Sequence, residues 1–266
     1  MQMILCPIAS GSAGNATYVS MGETRLLVDA GISAMRLNKS LASIGVESGS
    51  LSGILITHEH VDHIRGLPVF CKKYHVPIYA NPGTWAGILA RDDSIPEELR
   101  RIFTTDEDFF IGGINVTPFA IPHDAADPVG YSFASGNGRL AVATDLGYIR
   151  DEWVNHLSGC QALVLEANHD VDLVKNGPYP AHLKNRILSR KGHLCNEDCG
   201  SVLVRLANEG TQAAFLGHLS EENNLPELAA STVSRILTES GIDVGRSFWL
   251  GVARRSTVSD MLRLEV

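Results

Sequence analysis

Apolar residues fall along this chain in short runs separated by amphipathic stretches. The runs Leu26 to Asp29, Gly53 to Thr57, Ile114 to Ile121, Leu140 to Thr144, Ala162 to Glu166 and Ala213 to Gly217 are rich in aliphatic and β-branched residues and predict strands. Spaced apolar residues predict helices between them. "SAMRLNKSLASIG" closes with Gly45, and "PELAASTVSRILTESG" starts with Pro226 and stops at Gly241. "NEDCGSVLVRLANEG" opens with Asn196 as the expected N-cap, has acids in its first turn and ends before Gly210. Strands alternating with helices, with no linker, repeat or low-complexity segment, predict one α/β domain over residues 1–266.

What ends these runs matters more than their number. "RLLVDAG" ends in Asp29, "VTPFAIPHD" in His123, "LAVATD" in Asp145, "ALVLEAN" in Glu166 and "AAFLGH" in His218. "ILITHEHVDHIRGL" ends in His58, His60, Asp62 and His63 together. Strands that share a direction deliver such groups to one sheet edge, where open α/β sheets place their sites. Alternation along an extended segment sets His58 and His60 on one side, and a turn into a helix swings Asp62 and His63 toward a second position. The segment thus offers two ligands to each of two metal ions. His123 can complete a three-histidine set at the first, His218 can join Asp62 and His63 at the second, and Asp145 can bridge them. Neutral imidazoles with carboxylates suit Zn, and also Mn, Fe or Ni. Four polar groups beside a buried strand would be costly without such a partner. Asp29 reads as a carboxylate that steadies the histidine loop from behind.

Composition narrows the setting. A hydrophobic content of 44% describes an ordinary globular interior, and no apolar run is long enough to span a membrane. "MQMILCPIAS" has no basic lead and is interrupted by Pro7, so no signal peptide is expected. Five cysteines without paired spacing point to a reducing compartment, hence the cytoplasm. A net charge of −8 argues against a surface that is basic throughout, but not against a local groove. The densest basic stretch, "HLKNRILSRKGH", carries Lys184, Arg186, Arg190 and Lys191, and serves equally as a nucleic-acid contact or a solvated helix face. "SGSAGN" can offer Ser12 and Asn15 to a phosphate, or form only a tight turn. Asn223 has the same two readings, as a substrate contact or as part of the turn before the Pro226 helix.

"THEHVDH" with the downstream His123, Asp145 and His218 resembles the metallo-β-lactamase superfamily signature along the whole chain. The resemblance implies a four-layer αβ/βα sandwich of two mixed sheets flanked by helices, with a dinuclear centre at one edge. An oxygen-reducing branch has Glu where this chain has His60, so the resemblance favours the hydrolases. The Asp145–His218 interval is too short for an inserted β-CASP domain. "SGSAGNATYV", "LVLEANHD", "GPYPAHLKNRILSRKGHLCNED" and "LGHLSEENN" are similar to the YycJ (WalJ) family, regarded as 5′-to-3′ DNA exonucleases. Cys195 departs from the serine expected in its G-H-L-S-N motif.

That likeness implies a metal-dependent phosphodiesterase with a bridging hydroxide nucleophile, a DNA substrate and no membrane partner. It makes Asp62 part of the catalytic set. Glu166 and His193 resemble the Glu–His pair of tRNase Z and its nuclease relatives, in which the carboxylate orients the imidazole that protonates the leaving oxygen. A structural histidine at position 193 is the other reading. A thioester or lactone hydrolase of the glyoxalase II kind, a tRNase Z-like RNA-processing nuclease and a catalytically silent regulatory protein are the competing functions.

Overall fold

The computed structural model describes residues 1–266 and divides into two compact units. The first comprises Met1–Ala120, Ala125–Gly138 and Arg254–Val266. Its strands are β1 (Gln2–Ala9), β2 (Ala16–Met21), β3 (Thr24–Val28), β4 (Gly53–Leu55), β5 (Ile78–Ala80), β6 (Arg100–Ile102), β7 (Phe109–Ile111), β8 (Ile114–Ala120) and β9 (Val129–Ser135). A C-terminal strand, Leu262–Glu265, opens a mixed sheet that continues through β1, β2, β3, β4, β5 and β6 in that order. Pairing is antiparallel up to β3 and parallel from β3 to β6. Strands β7, β8 and β9 form an antiparallel meander.

Helices α1 (Ala34–Ser43), α2 (Val61–Ile64), α3 (Leu67–Tyr74) and α4 (Pro82–Arg91) belong to this unit. Leu37 and Leu41 of α1, Phe70 of α3 and Trp85 and Ile88 of α4 join Ile8, Leu27, Ile54 and Ile78 of the strands in one buried cluster. Each such side chain contributes roughly 1.5–3 kcal/mol by leaving water. That burial holds the ends of β3 and β4 in place.

The second unit comprises Ile121–Asp124 and Arg139–Ala253. Its strands β10 (Gly138–Ala143), β11 (Ala162–Glu166), β12 (Ala213–Gly217) and β13 (Trp249–Val252) are all parallel. Its helices are α5 (Asp151–Leu157), α6 (Val171–Asn176), α7 (Ala181–Ile187), α8 (Asn196–Asn208) and α9 (Pro226–Glu239). Ala143 is level with Leu165 and Glu166 with Gly217, so Asp145, Glu166 and His218 emerge at the carboxyl edge of three adjacent strands.

The expected strands and helices are all present; β3 and β10 begin two residues earlier than expected, and several strands stop short for identifiable reasons. Strand β3 stops at Val28 because Asp29 turns into the left-handed region (φ 63°), and Asp145 (φ 62°) and His218 (φ 54°) do the same after β10 and β12. Strand β4 stops short of Thr57, whose N–H is taken by the Asp29 carboxylate. The N-cap of α8 is Cys195 rather than the expected Asn196: Cys195 Sγ accepts from Asp198 N at 3.4 Å. Asn196 is spent elsewhere, in a buried amide pair with Asn224.

Candidate functional site

In the first unit, the loop after β4 carries His58, His60, Asp62 and His63, the last two in the single turn of α2. His58 and His63 are fully buried. Asp29 lies beneath them. Its Oδ2 accepts from His63 Nδ1 at 2.7 Å, and its Oδ1 accepts from Thr57 N at 2.9 Å. A carboxylate only accepts, so Nδ1 of His63 is the donor in that contact. Burial pushes the Asp29 carboxyl up, against the pull of His63 and of the Thr57 hydrogen bonds. Thr57 Oγ1 also lies 3.0 Å from His58 Nδ1, and His58 Nε2 lies 3.0 Å from His60 Nδ1.

Three loops are knit beneath this cluster. Asn15 N donates to Asp62 O (2.7 Å), Gly31 N to Asn15 O (2.8 Å) and Ala30 N to His63 O (2.8 Å). The contact is so close that a Cβ on Gly31 would sit 1.6 Å from the Asp62 carbonyl oxygen. The Asn15 side chain is buried. It closes its own hairpin on Gly11 and approaches His63 Nε2 at 3.1 Å, so it supports the cluster and does not reach outward as a polymer contact. Ser12, in the same hairpin, is exposed.

In the second unit, Glu166 is the hub. It is wholly buried, and its two oxygens accept four hydrogen bonds. Oε1 accepts from His193 Nδ1 (2.9 Å) and His218 Nδ1 (2.8 Å), while Oε2 accepts from Leu146 N (2.6 Å) and Leu194 N (3.0 Å). Burial pushes this carboxyl up, but His193 and His218 pull harder and hold it well below the usual carboxylate range. One carboxylate therefore orients two imidazoles and pins the backbone next to Asp145 and His193. The expected Glu166–His193 contact is present, and His218 shares it.

Oxygen and nitrogen atoms of Asp145, Glu166, His193 and His218 all lie within 4.8 Å of one another. His123 is buried, and its Nδ1 contacts the Gly192 carbonyl at 3.2 Å. Burial lowers its pKa, which keeps the ring in the neutral form that a ligand requires. Its Nε2 lies 3.3 Å from Asp124 Oδ1 and 3.7 Å from Asp145 Oδ1. His63, His123 and His218 thus each meet an acceptor at Nδ1 and present Nε2. Metal-binding histidines are oriented in this way, and imidazoles with carboxylates suit a first-row divalent ion.

Several supporting residues carried no sequence signal beyond turn composition. Asn168 Nδ2 donates to the His218 carbonyl at 2.8 Å. Asn224 Nδ2 bonds Ala167 O (2.9 Å) and Asn196 Oδ1 (2.9 Å), tying the end of β11 to the start of α8. Of the two readings of Asn223, the turn before α9 matches its place: its side chain is fully buried and donates to Ser220 Oγ at 3.4 Å. Lys184 Nζ caps the Lys175 carbonyl at 2.8 Å, and Arg186 Nε pairs with Asp124 at 2.7 Å.

In each unit, strand ends that carry histidines and carboxylates gather the donor chemistry of a metal centre. The chain belongs to the metallo-β-lactamase superfamily: residues 24–218 match its Beta-lactamase superfamily domain. It is 42% identical over 241 residues to Exodeoxyribonuclease YycJ of Bacillus anthracis, covering 91% of each chain. It is 38% identical over 246 residues to Exodeoxyribonuclease WalJ of Streptococcus pneumoniae, covering 91% of this chain and 90% of the relative. The metallo-β-lactamase fold protein YhfI from Bacillus subtilis superposes with a TM-score of 0.72 at 17% identity, over 97% of this chain and 99% of that one. The expected fold of mixed sheets flanked by helices is therefore the observed one. No helix is long and apolar enough to cross a membrane, and all five cysteines are free thiols.

Proposed function

We propose that this chain is a metal-dependent phosphodiesterase that degrades DNA from the 5′ end. In this reading His58, His60 and His123 serve one ion, Asp62, His63 and His218 serve a second, and Asp145 serves both. Zn, Mn, Fe and Ni all match the donor set. The exodeoxyribonuclease relatives at 38–42% identity supply the substrate class.

The observation that carries the proposal is the Glu166–His193 pair at 2.9 Å. Hydrolysis of a phosphodiester expels an alkoxide, which needs a proton donor held in place. Glu166 fixes the His193 ring through Nδ1, leaving Nε2 to hand a proton to the departing oxygen. The His193 side chain is 15% exposed, enough for substrate to reach it while its partner stays dry. Bound divalent ions would supply Lewis acidity toward the phosphoryl oxygens and make water a nucleophile near neutral pH. Asp29, Glu166 and the Gly192 carbonyl hold the three imidazoles for that task. A thioester hydrolase would give the Glu166–His193 pair no comparable work, because a thiolate leaves without help.

The test is a time course with Mn²⁺ or Zn²⁺ on 5′-phosphorylated duplex DNA labelled at either end, with Asp62→Ala as the blank. Progressive release of the 5′ label by wild type alone is the expected result. Intact DNA beside turnover of a thioester or lactone would overturn the reading.

A further inference from the structure

Within an acidic chain, the densest basic stretch lies on α7 and the turn after it, and it is built into the chemistry-bearing loops of its unit. Arg186 Nε pairs with Asp124, whose other oxygen lies 3.3 Å from His123 Nε2. The Gly192 carbonyl meets His123 Nδ1 at 3.2 Å. The Arg190 carbonyl is pressed against Gly147, where any Cβ would come within 2.2 Å of it. Ser189 N to Arg186 O (3.2 Å) and Gly192 N to Ser189 O (2.9 Å) close the turn. The segment is therefore held in one place.

Tyr148, next to that glycine, lies under Arg190, with the guanidinium 4.4 Å from the ring centroid. Arg150 approaches the same ring at 5.9 Å but is engaged by Glu152 at 2.9 Å. Arg190 is exposed and has no carboxylate partner. A guanidinium held over an aromatic ring presents its outer face as a charged plane, and unpaired bases stack on such planes. Phosphate binding alone would need the charge but not the ring.

We propose that Tyr148 and Arg190 form a stacking platform for an unpaired base of a single-stranded nucleic acid, with the exposed Lys191 next in the chain available to its phosphates. The inference rests on the nuclease reading and specifies the strand state its substrate presents. The experiment is fluorescence anisotropy of the metal-free chain in EDTA with a labelled single-stranded deoxyoligonucleotide. An abasic strand of equal length, with the same phosphates, runs beside it. Arg190→Ala and Tyr148→Ala should each weaken binding of the normal strand roughly tenfold, the scale of one base–aromatic stack, and change abasic binding about twofold or less. Tyr148→Phe should bind as wild type. Equal losses on both strands, or no loss on either, would overturn the platform. Wild type that cleaves DNA while the variants keep its affinity and KM would overturn the platform alone. Wild type that neither binds nor cleaves nucleic acid would remove the nuclease reading as well. Arg190 is exposed, so its variant decides the matter should Tyr148→Ala unfold.

Discussion

Glu166→Gln keeps the shape of the hub and removes half of its acceptor capacity. The carboxylate satisfies four donors: Nδ1 of His193 and His218, and N–H of Leu146 and Leu194. An amide has one oxygen, so one pair must go without. If the oxygen faces the imidazoles, two buried backbone N–H groups are orphaned at about 1–3 kcal/mol each. If it faces the backbone, the amide nitrogen meets the imidazoles, which can answer by moving their protons to Nε2. The second arrangement costs less, about 1–3 kcal/mol for the lost charge-assisted bonds, and is the expected one. It also removes the Nε2 lone pair of His218. The variant should therefore fold, lose about 1–3 kcal/mol in urea denaturation of the metal-free protein, and bind one ion fewer than wild type. Glu166→Ala orphans all four donors and should lose about 4 kcal/mol or more. Metal counting by mass spectrometry, paired with the denaturation curves, checks both. Full metal content in Glu166→Gln together with unchanged stability would refute the view that this carboxylate sets the imidazole protonation.

Three further outcomes are expected. His169 is buried, its Nδ1 has no hydrogen-bond partner, and burial pushes its pKa from 6.5 down to about 4. The unfolded chain then binds the extra proton between those values, so stability falls as pH drops from about 6.5 toward 4, by about 2–2.5 kcal/mol between pH 7 and 4.5. His169→Gln should lack that loss in urea titrations of metal-free protein; parallel curves for variant and wild type would count against the assignment. Gly31→Ala drives a Cβ into the Asp62 carbonyl, and should lower stability by about 3 kcal/mol in thermal unfolding, with an unshifted midpoint as the contrary result. His193→Ala should cut nuclease turnover by about 10²–10⁴-fold while metal content holds; a joint fall would make His193 a ligand or a structural residue.

The candidate site was legible where a burial pattern met a chemical one. Apolar runs that end in Asp29, Asp145, Glu166 and His218 signal strands that deliver polar groups to an edge, because one such ending can be a cap or a turn but several in one chain point to a shared site. What stayed hidden depends on partners distant in sequence. Thr57 reads as a strand residue, yet its hydroxyl serves Asp29 and lies 3.0 Å from His58 Nδ1. Asn168, Asn196 and Asn224 read as turn formers, and only their buried partners show them to be cross-ties. Left-handed backbone at Asp29, Asp145 and His218 is invisible to pattern because each residue type tolerates it at a cost of about 1–3 kcal/mol, and that cost is met by the hydrogen bonds around it.

Glu166 shows why a strand end was the informative place to look. Strand β11 lies between β10 and β12, with Glu166 level with Gly217. From that position one side chain reaches Leu146 N after β10 and His218 Nδ1 after β12, as well as His193 before α8. β11 is the strand that lies between the two whose ends carry Asp145 and His218. A carboxylate is needed there because it alone accepts from four donors with no proton of its own to place. Burial makes such a charge costly, so a glutamate at the end of a central, fully buried strand indicates that several donors converge on it.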